Sequence, residues 1–302
     1  MPDAIDAMRS AFGQLSSGNA NMPLRSRVES DKGVTLVMPV YLKQSRDCEV
    51  KVVSIYGGNP SIGLPAVPGV SIVIDPDNGM ARALMDAHSL TCIRTGAGGG
   101  LAAQLLSRPD SKTVALFGVG DQARTQLQAV MAVRSIEQVY VTSRSNETAQ
   151  RFCDEVSSWP NAPQAMPADR RKAVSGSDII VCATPSTKPV FDGADIRPGT
   201  HITGVGSYTP DMQEVDTTAV ERATVFVDSR EAAAQEAGDL IIAGATIAAE
   251  LGEVVNGEHP GRTSDDEVTF FKSVGVAAQD AVAARMVLDH AEQHDLGVIV
   301  EI

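Results

Sequence analysis

The sequence predicts an α/β protein in which a doubly wound parallel sheet is joined to a smaller α+β unit. Three observations predict it. The first hundred residues read as short strands separated by turn clusters, and the chain from Thr113 onward alternates strand and helix. A GxGxxA run then sits where the first of those later strands meets its helix. With 302 residues the chain is long enough to bury two cores.

Residues 4–15 read as a helix that stops at the polar break Ser16-Ser17-Gly18-Asn19. Residues 25–29 and 34–42 flank Asp31-Lys32-Gly33, a hairpin turn signal. Further strands are expected at 48–56, 70–74 and 80–85, punctuated by Gly57-Gly58-Asn59-Pro60 and Asp75-Pro76-Asp77-Asn78-Gly79. A helix over 88–107 is ended by Arg108-Pro109-Asp110. Strands at 113–117, 138–142, 178–182, 201–205 and 224–227 follow, with helical stretches between them. The tail, 276–293, reads as a helix that returns to the first unit. The expected division is therefore 1–108 together with 276–302, against 109–275.

Composition removes several classes. At 43% hydrophobic and 21% charged the chain is ordinary globular protein. Lys+Arg 25 against Asp+Glu 38, a net charge of −13, leaves no basic surplus for nucleic acid or an anionic membrane. No apolar run approaches the roughly 20 residues of a membrane span. The start, MPDAIDAMRSAFGQ, lacks the basic-then-apolar order of a signal peptide, so a cytoplasmic protein is expected. Cys48, Cys92, Cys153 and Cys182 are scattered without a CxxC pair and read as thiols in a reducing compartment. The five histidines form no HxxxH or HxH pair, and none is assigned to metal.

Thr-Val-Ala-Leu-Phe runs directly into Gly118-Val119-Gly120-Asp121-Gln122-Ala123, with a helical stretch behind it. A lone GxGxxA is weak evidence, but strand before and helix after are the context that dinucleotide binding requires. Gly118 permits the tight turn, Gly120 lets backbone approach a pyrophosphate, and Ala123 keeps the helix close to the sheet. The expected fold of this half is thus Rossmann-type. The next strand ends Val141-Thr142-Ser143-Arg144-Ser145, with no carboxylate for a ribose 2′-hydroxyl. A guanidinium between two hydroxyls suits a 2′-phosphate, so NADPH is favoured over NADH. The plain alternative is a solvated surface arginine.

Period-two counting on 48–56 puts Val50, Val52 and Ser54 on one face and Lys51, Val53 and Ile55 on the other. Both faces are largely apolar. Lys51 is then either a buried ammonium needing an anionic partner or a function, or an edge-strand lysine reaching water. Arg94 stands just ahead of Thr95-Gly96-Ala97-Gly98-Gly99-Gly100. Glycines cost about 1 kcal/mol each in a helix, so this run implies a ligand or a neighbouring helix packed against its backbone. Arg25 and Arg27 are further carboxylate-binding candidates, and whichever points outward is a solvated residue.

These residues belong to blocks that together resemble the ornithine cyclodeaminase/mu-crystallin family. The blocks are KVVSIY, RTGAGGGLAAQLLSRPDSKTVALFGVGDQARTQL, GVGSYTPDMQEVD, VFVDSREAAAQEAGDL, AAELGEVVNG and TFFKSVGVAAQD, in order over nearly the whole chain. The resemblance implies a homodimer in which the N-terminal unit, completed by the C-terminal helix, binds substrate and pairs subunits. It makes Lys51, Arg94 and Arg25 active-site residues that hold the substrate carboxylate, with the lysine near the reacting carbon–nitrogen centre. It sets Val119, Gly120, Asp121 and Gln122 at the pyrophosphate and Ser143, Arg144, Ser145 and Thr148 around the adenosine ribose. Thr184, Val205 and Ser273 match positions lining the nicotinamide half. Members of the family usually begin further upstream, so Met1 need not be the native start.

The chain departs from the cyclodeaminases at Gly206-Ser207-Tyr208-Thr209-Pro210, where Tyr208 stands in the place of their aspartate. Without that aspartate the simplest chemistry is hydride transfer to a C=N bond beside a carboxylate. The expected substrate is a cyclic ketimine, Δ1-pyrroline-2-carboxylate or Δ1-piperideine-2-carboxylate, giving L-proline or L-pipecolate. Alternatives are ornithine cyclodeamination, alanine-dehydrogenase-like reductive amination, and a non-enzymatic protein that binds a small ligand.

Overall fold

The computed structural model describes residues 1–300. Its first unit runs α1 (Pro2–Ser16), β1 (Ala20–Asn21), β2 (Ser26–Ser30), β3 (Gly33–Leu42), β4 (Cys48–Ile55), β5 (Gly69–Ile74), β6 (Ala81–Asp86) and α2 (Ala87–Leu106). Among the described residues β3, β4, β5 and β6 pair antiparallel in that order. On the other edge of β3, β2 pairs with its first half and β1 with its last two residues. Leu36, Met38, Val40 and Leu42 bury one face of β3. Glu49, Lys51 and Val53 are the buried alternate residues of β4. β4 lies inside the sheet with Lys51 opposite Met38 on one side and Ser71 on the other, so the edge-strand reading of Lys51 does not hold.

The second unit runs β7 (Thr113–Phe117), α3 (Asp121–Val133), β8 (Gln138–Thr142), α4 (Asn146–Ser157), β9 (Gln164–Pro167), α5 (Arg170–Ser175), β10 (Ile179–Cys182) and β11 (His201–Gly204). It continues with α6 (Thr217–Arg222), β12 (Thr224–Val227), α7 (Arg230–Glu236), α8 (Gly238–Ala243), β13 (Ile247–Glu250), α9 (Leu251–Val255) and β14 (Thr269–Lys272), and α10 (Ala277–Gln293) closes the chain. The strands form a parallel sheet in the order β13-β12-β14-β11-β10-β7-β8-β9. The succession β7-β8-β9 builds outward on one side, and β10 then returns to the other side of β7. That reversal opens a crevice at the carboxyl ends of β7 and β10, where a doubly wound sheet binds its ligand.

The expected elements are present with ends moved by one or two residues, and four short strands are added. β1 has two residues, β9 ends on a proline, β13 is an edge strand, and β14 is a buried four-residue run without alternation. α10 packs on β3, β4, β5, α1 and α2.

α2 touches both sheets, and of its glycines Gly96, Gly99 and Gly100 face α3 while Gly98 faces Gln279 of α10 and Phe12 of α1. A Cβ on Gly96 would stand 2.7 Å from the Thr125 backbone of α3, and one on Gly100 would stand 2.7 Å from the Ala129 Cβ. α2 therefore lies close against α3, and Arg94 stands two residues before the first of these contacts.

Candidate active site

The crevice holds a cavity of about 440 Å³ lined by Gly118, Val119, Gly120, Ser143, Arg144, Thr148, Arg170 and Thr184, among others. Gly118 has φ +105°, and a side chain there would also strike the Ala183 carbonyl, so glycine is required. At Gly120 a Cβ would meet nothing within 4 Å. Gly120 caps α3 without a side-chain hydrogen bond, leaving the first N–H groups of the helix for an anion. These features fit a dinucleotide pyrophosphate. Ser145 caps α4 by accepting from the Thr148 N–H at 3.2 Å, and Ser143 Oγ donates to the Ser145 carbonyl at 2.7 Å. Two guanidinium-bearing residues, Arg144 and Arg170, and no carboxylate line the cavity. Arg170 escaped the sequence reading because it lies beyond β9, a strand that reading did not detect.

The other expected cofactor residues, Asp121, Gln122, Ala123, Val205 and Ser273, are not part of the cavity lining. Ala123 lies on the buried face of α3, Asp121 pairs with Arg124 at 3.1 Å, and Gln122 reaches toward Cys92. His88 stands one turn before Cys92 and 3.3 Å from Asp121. Val205 continues β11, its N–H bonded to the Cys182 carbonyl. Ser273 is buried, its hydroxyl donating to Asp228 at 2.8 Å. Asp228 also accepts from the N–H groups of Val274 and Gly275, at 2.9 and 2.7 Å. One carboxylate thus fixes the loop that leads from β14 into α10.

That loop meets two of the three expected basic residues, Arg25 and Arg94, and the third, Lys51, lies beyond it on Asp280. Arg25 donates to the carbonyls of Val274 and Gly275 and pairs with Glu236 at 3.0 Å, and burial lowers its pKa. Arg27 is the exposed member of the pair. A Cβ on Gly275 would lie 2.7 Å from Arg94 Nη1, so the loop backbone and the guanidinium touch. Lys51 is 1% exposed and donates to Asp280 at 2.9 Å. Arg94 Nε donates to the same Asp280 oxygen, also at 2.9 Å, while Nη1 donates to Gln279. Burial lowers the Lys51 pKa despite the opposing pull of Asp280. Burial pushes the Asp280 carboxyl up, but Arg94 and Lys51 outweigh it and hold it below its ordinary value.

Two further buried groups complete the picture. Glu49 accepts from the Ser71 hydroxyl, and burial, reinforced by the Asp280 charge, raises it to about 8. Across the other unit Glu214 accepts from Thr184, Gly206 and Ser207, tying the β10 and β11 loops together. Burial raises Glu214 to about 6. Behind it Lys272 pairs with Asp239 at 2.9 Å and donates to Ser207 at 3.0 Å. Tyr208 follows directly, half-buried, and burial raises its phenol. Asp280, Gln279, Glu49, Asp228 and Glu214 were missed by the sequence reading. The buried Lys51, which needs an anionic partner, was the one signal that could have led to Asp280.

A parallel sheet with an open glycine turn at its switch point, beside a buried cluster of cations, defines a nicotinamide-dependent oxidoreductase. The chain belongs to the ornithine cyclodeaminase/mu-crystallin family, whose model matches residues 1–295. It is 34% identical to a Δ1-pyrroline-2-carboxylate reductase of Bacillus cereus, over 100% of this chain and 95% of that one. It resembles the structure of Thermococcus litoralis Δ1-pyrroline-2-carboxylate reductase in complex with NADH and L-proline, with a TM-score of 0.95 and 39% identity, over 99% of this chain and 96% of that one. An archaeal alanine dehydrogenase dimer with bound NAD also has a TM-score of 0.95, with 33% identity, over 100% of this chain and 95% of that one. Among the described residues no helix is long and apolar enough to cross a membrane.

Proposed function

We propose that this protein reduces a cyclic ketimine carboxylate, Δ1-pyrroline-2-carboxylate or Δ1-piperideine-2-carboxylate, to L-proline or L-pipecolate, with NADPH as the preferred cofactor. The observation that carries the reading is the sharing of Asp280 by Lys51 and Arg94. Two buried cations on one carboxylate leave a surplus positive charge, which a substrate carboxylate satisfies. Arg25 and Arg94 hold that carboxylate from the side of the 273–275 loop. The Lys51 ammonium stands ready to donate a proton to the imine nitrogen. A reduced nicotinamide bound in the crevice supplies the hydride. The names of the Bacillus and Thermococcus relatives support the same substrate class.

Tyr208 separates this reading from cyclodeamination. A cyclodeaminase must oxidise the ornithine amine, release ammonia and reduce the resulting imine. A phenol, with an ordinary pKa of about 10, is poorly suited to moving those protons at neutral pH. NADPH oxidation with each cyclic imine and with pyruvate plus ammonia, and amino-acid product analysis of these mixtures and of ornithine plus NAD, tests the assignment. Imine reduction with negligible proline from ornithine is expected. Robust proline and ammonia from ornithine would restore the cyclodeaminase reading, alanine from pyruvate would favour the dehydrogenase, and binding without turnover would leave a ligand-binding protein.

The NADPH preference rests on Arg144 and Arg170 lining the ribose end of a cavity without a carboxylate. The Thermococcus and archaeal neighbours hold NADH or NAD, which favours the opposite choice and makes the test pointed. Arg144→Asp is expected to reverse or abolish the NADPH preference, and equal affinity of the parent protein for both cofactors would overturn it.

The division into 1–108 with 276–302 and 109–275 is proposed on the two separate sheets. We further propose a homodimer in the cytoplasm. The exposed Met80, Leu84, Ile93 and Val287 on the first unit and α10, and the dimeric archaeal neighbour, support the pairing.

A further inference from the structure

Glu49 is a buried carboxyl group that the proposed reaction does not use. It is 1% exposed, and its Oε2 accepts no hydrogen bond among the described residues. The second oxygen of Asp280, Oδ2, is likewise buried without a partner. An ionised carboxylate so placed is costly, and two in one dry site are costlier still. Asp280 has both cations bonded to it directly, whereas Glu49 receives only the Ser71 hydroxyl. Asp280 is therefore the member of the pair that carries the negative charge.

The charge count follows. Lys51 and Arg94 against Asp280 leave one positive charge when Glu49 is neutral, and none when it is ionised. We propose that Glu49 acts as a positioning residue that, held as the neutral acid, preserves the positive charge that binds the substrate carboxylate, and that its ionisation weakens substrate binding on the alkaline side. The inference rests on the carboxylate-substrate reading given above. The groups facing Glu49 are Lys51 on its own strand, Ser71 from β5, Arg94 from α2 and Asp280 from α10. Asp280 and burial oppose its ionisation, while Ser71, Lys51 and Arg94 favour it.

The experiment measures L-proline binding to the full chain saturated with reduced cofactor, a pair that cannot react, from pH 6.5 to 9, by calorimetry in buffers of different ionisation enthalpy. With Glu49 titrating at about 8, binding at pH 9 is expected to be about tenfold weaker than at pH 7, with proton uptake approaching one per proline bound. Lys51 could produce a similar alkaline limb, and Glu49→Gln separates the two. The Glu49 charge raises the Lys51 pKa, so a limb governed by Lys51 would persist in the variant or move to lower pH. A limb governed by Glu49 disappears. Ser71→Ala supplies a second variant should Glu49→Gln fail to fold. Losing that hydroxyl removes a bond to the ionised form, so a Glu49 limb moves to higher pH. Binding that does not change with pH, or a limb that survives Glu49→Gln or stays in place in Ser71→Ala, would overturn the inference while leaving the substrate class intact. Failure of L-proline to bind at any pH would overturn both.

Discussion

Lys51→Ala is expected to lower kcat/KM for the cyclic imine by about 10²–10³-fold, while NADPH affinity stays within about twofold. The lysine stands among Asp280, Arg94 and Thr91, away from the glycine loop that lines the crevice. Its removal is electrostatically tolerable. Asp280 keeps Arg94 at 2.9 Å, so no buried carboxylate is left without a cation. The fold should therefore survive, and steady-state kinetics can be read together with cofactor titration of the same preparation. Near-normal imine reduction would show that the ammonium serves packing and charge balance alone. A parallel loss of NADPH affinity would show instead that the variant disturbs the crevice.

Asp280→Ala is expected to give the largest loss of stability, about 3 kcal/mol, at the lower end of the cost of breaking a buried ion pair. The substitution removes the one carboxylate that bonds both Lys51 and Arg94. Two cations then face each other in a dry site. The loss is held to the lower end because Glu49, freed from the Asp280 charge, ionises more readily and supplies part of the missing anion. Urea unfolding of the two proteins measures the difference through the midpoint at unchanged slope. A loss below about 1 kcal/mol would mean that the pair contributes little to folding and that its charges are compensated elsewhere. Asp280→Ala should also lose imine reduction, since Lys51 and Arg94 lose the carboxylate they share and keep only the neutral partners Thr91 and Gln279.

The contrast between these two substitutions marks where sequence reasoning stops. Lys51 could be singled out because an ammonium on a strand with two apolar faces needs an explanation. Neither the period of β4 nor the composition could choose between a buried ion pair and an edge lysine. That choice depends on β3 and β5 both pairing with β4, and on α10 covering its inner face. The partner carboxylate lies 229 residues further along the chain. No local pattern connects positions at that separation.

The glycine run of α2 behaves the same way. Its cost in a helix is visible in the sequence, and it announces close packing without saying against what. The structure answers with α3, through Thr125 and Ala129. Similarly, Arg144 follows from the end of β8, but Arg170 reaches the same cavity from α5, after a strand too short and irregular to be recognised.

By itself the sequence determined what is local: the alternation of strand and helix, the hairpin turns, the conformation of Gly118, the open helix end at Gly120, and the absence of a carboxylate after β8. Each depends on residues within a few positions of one another, where backbone sterics and side-chain period act directly. The tertiary structure alone decided which charges meet. It brought Glu49 and Lys51 from β4, Arg94 from α2 and Asp280 from α10 into one buried site, and it set Asp228 under the 273–275 loop. Charges so far apart along the chain interact strongly only after packing has removed the water between them, because Coulombic attraction and desolvation depend on distance and dielectric in the folded molecule.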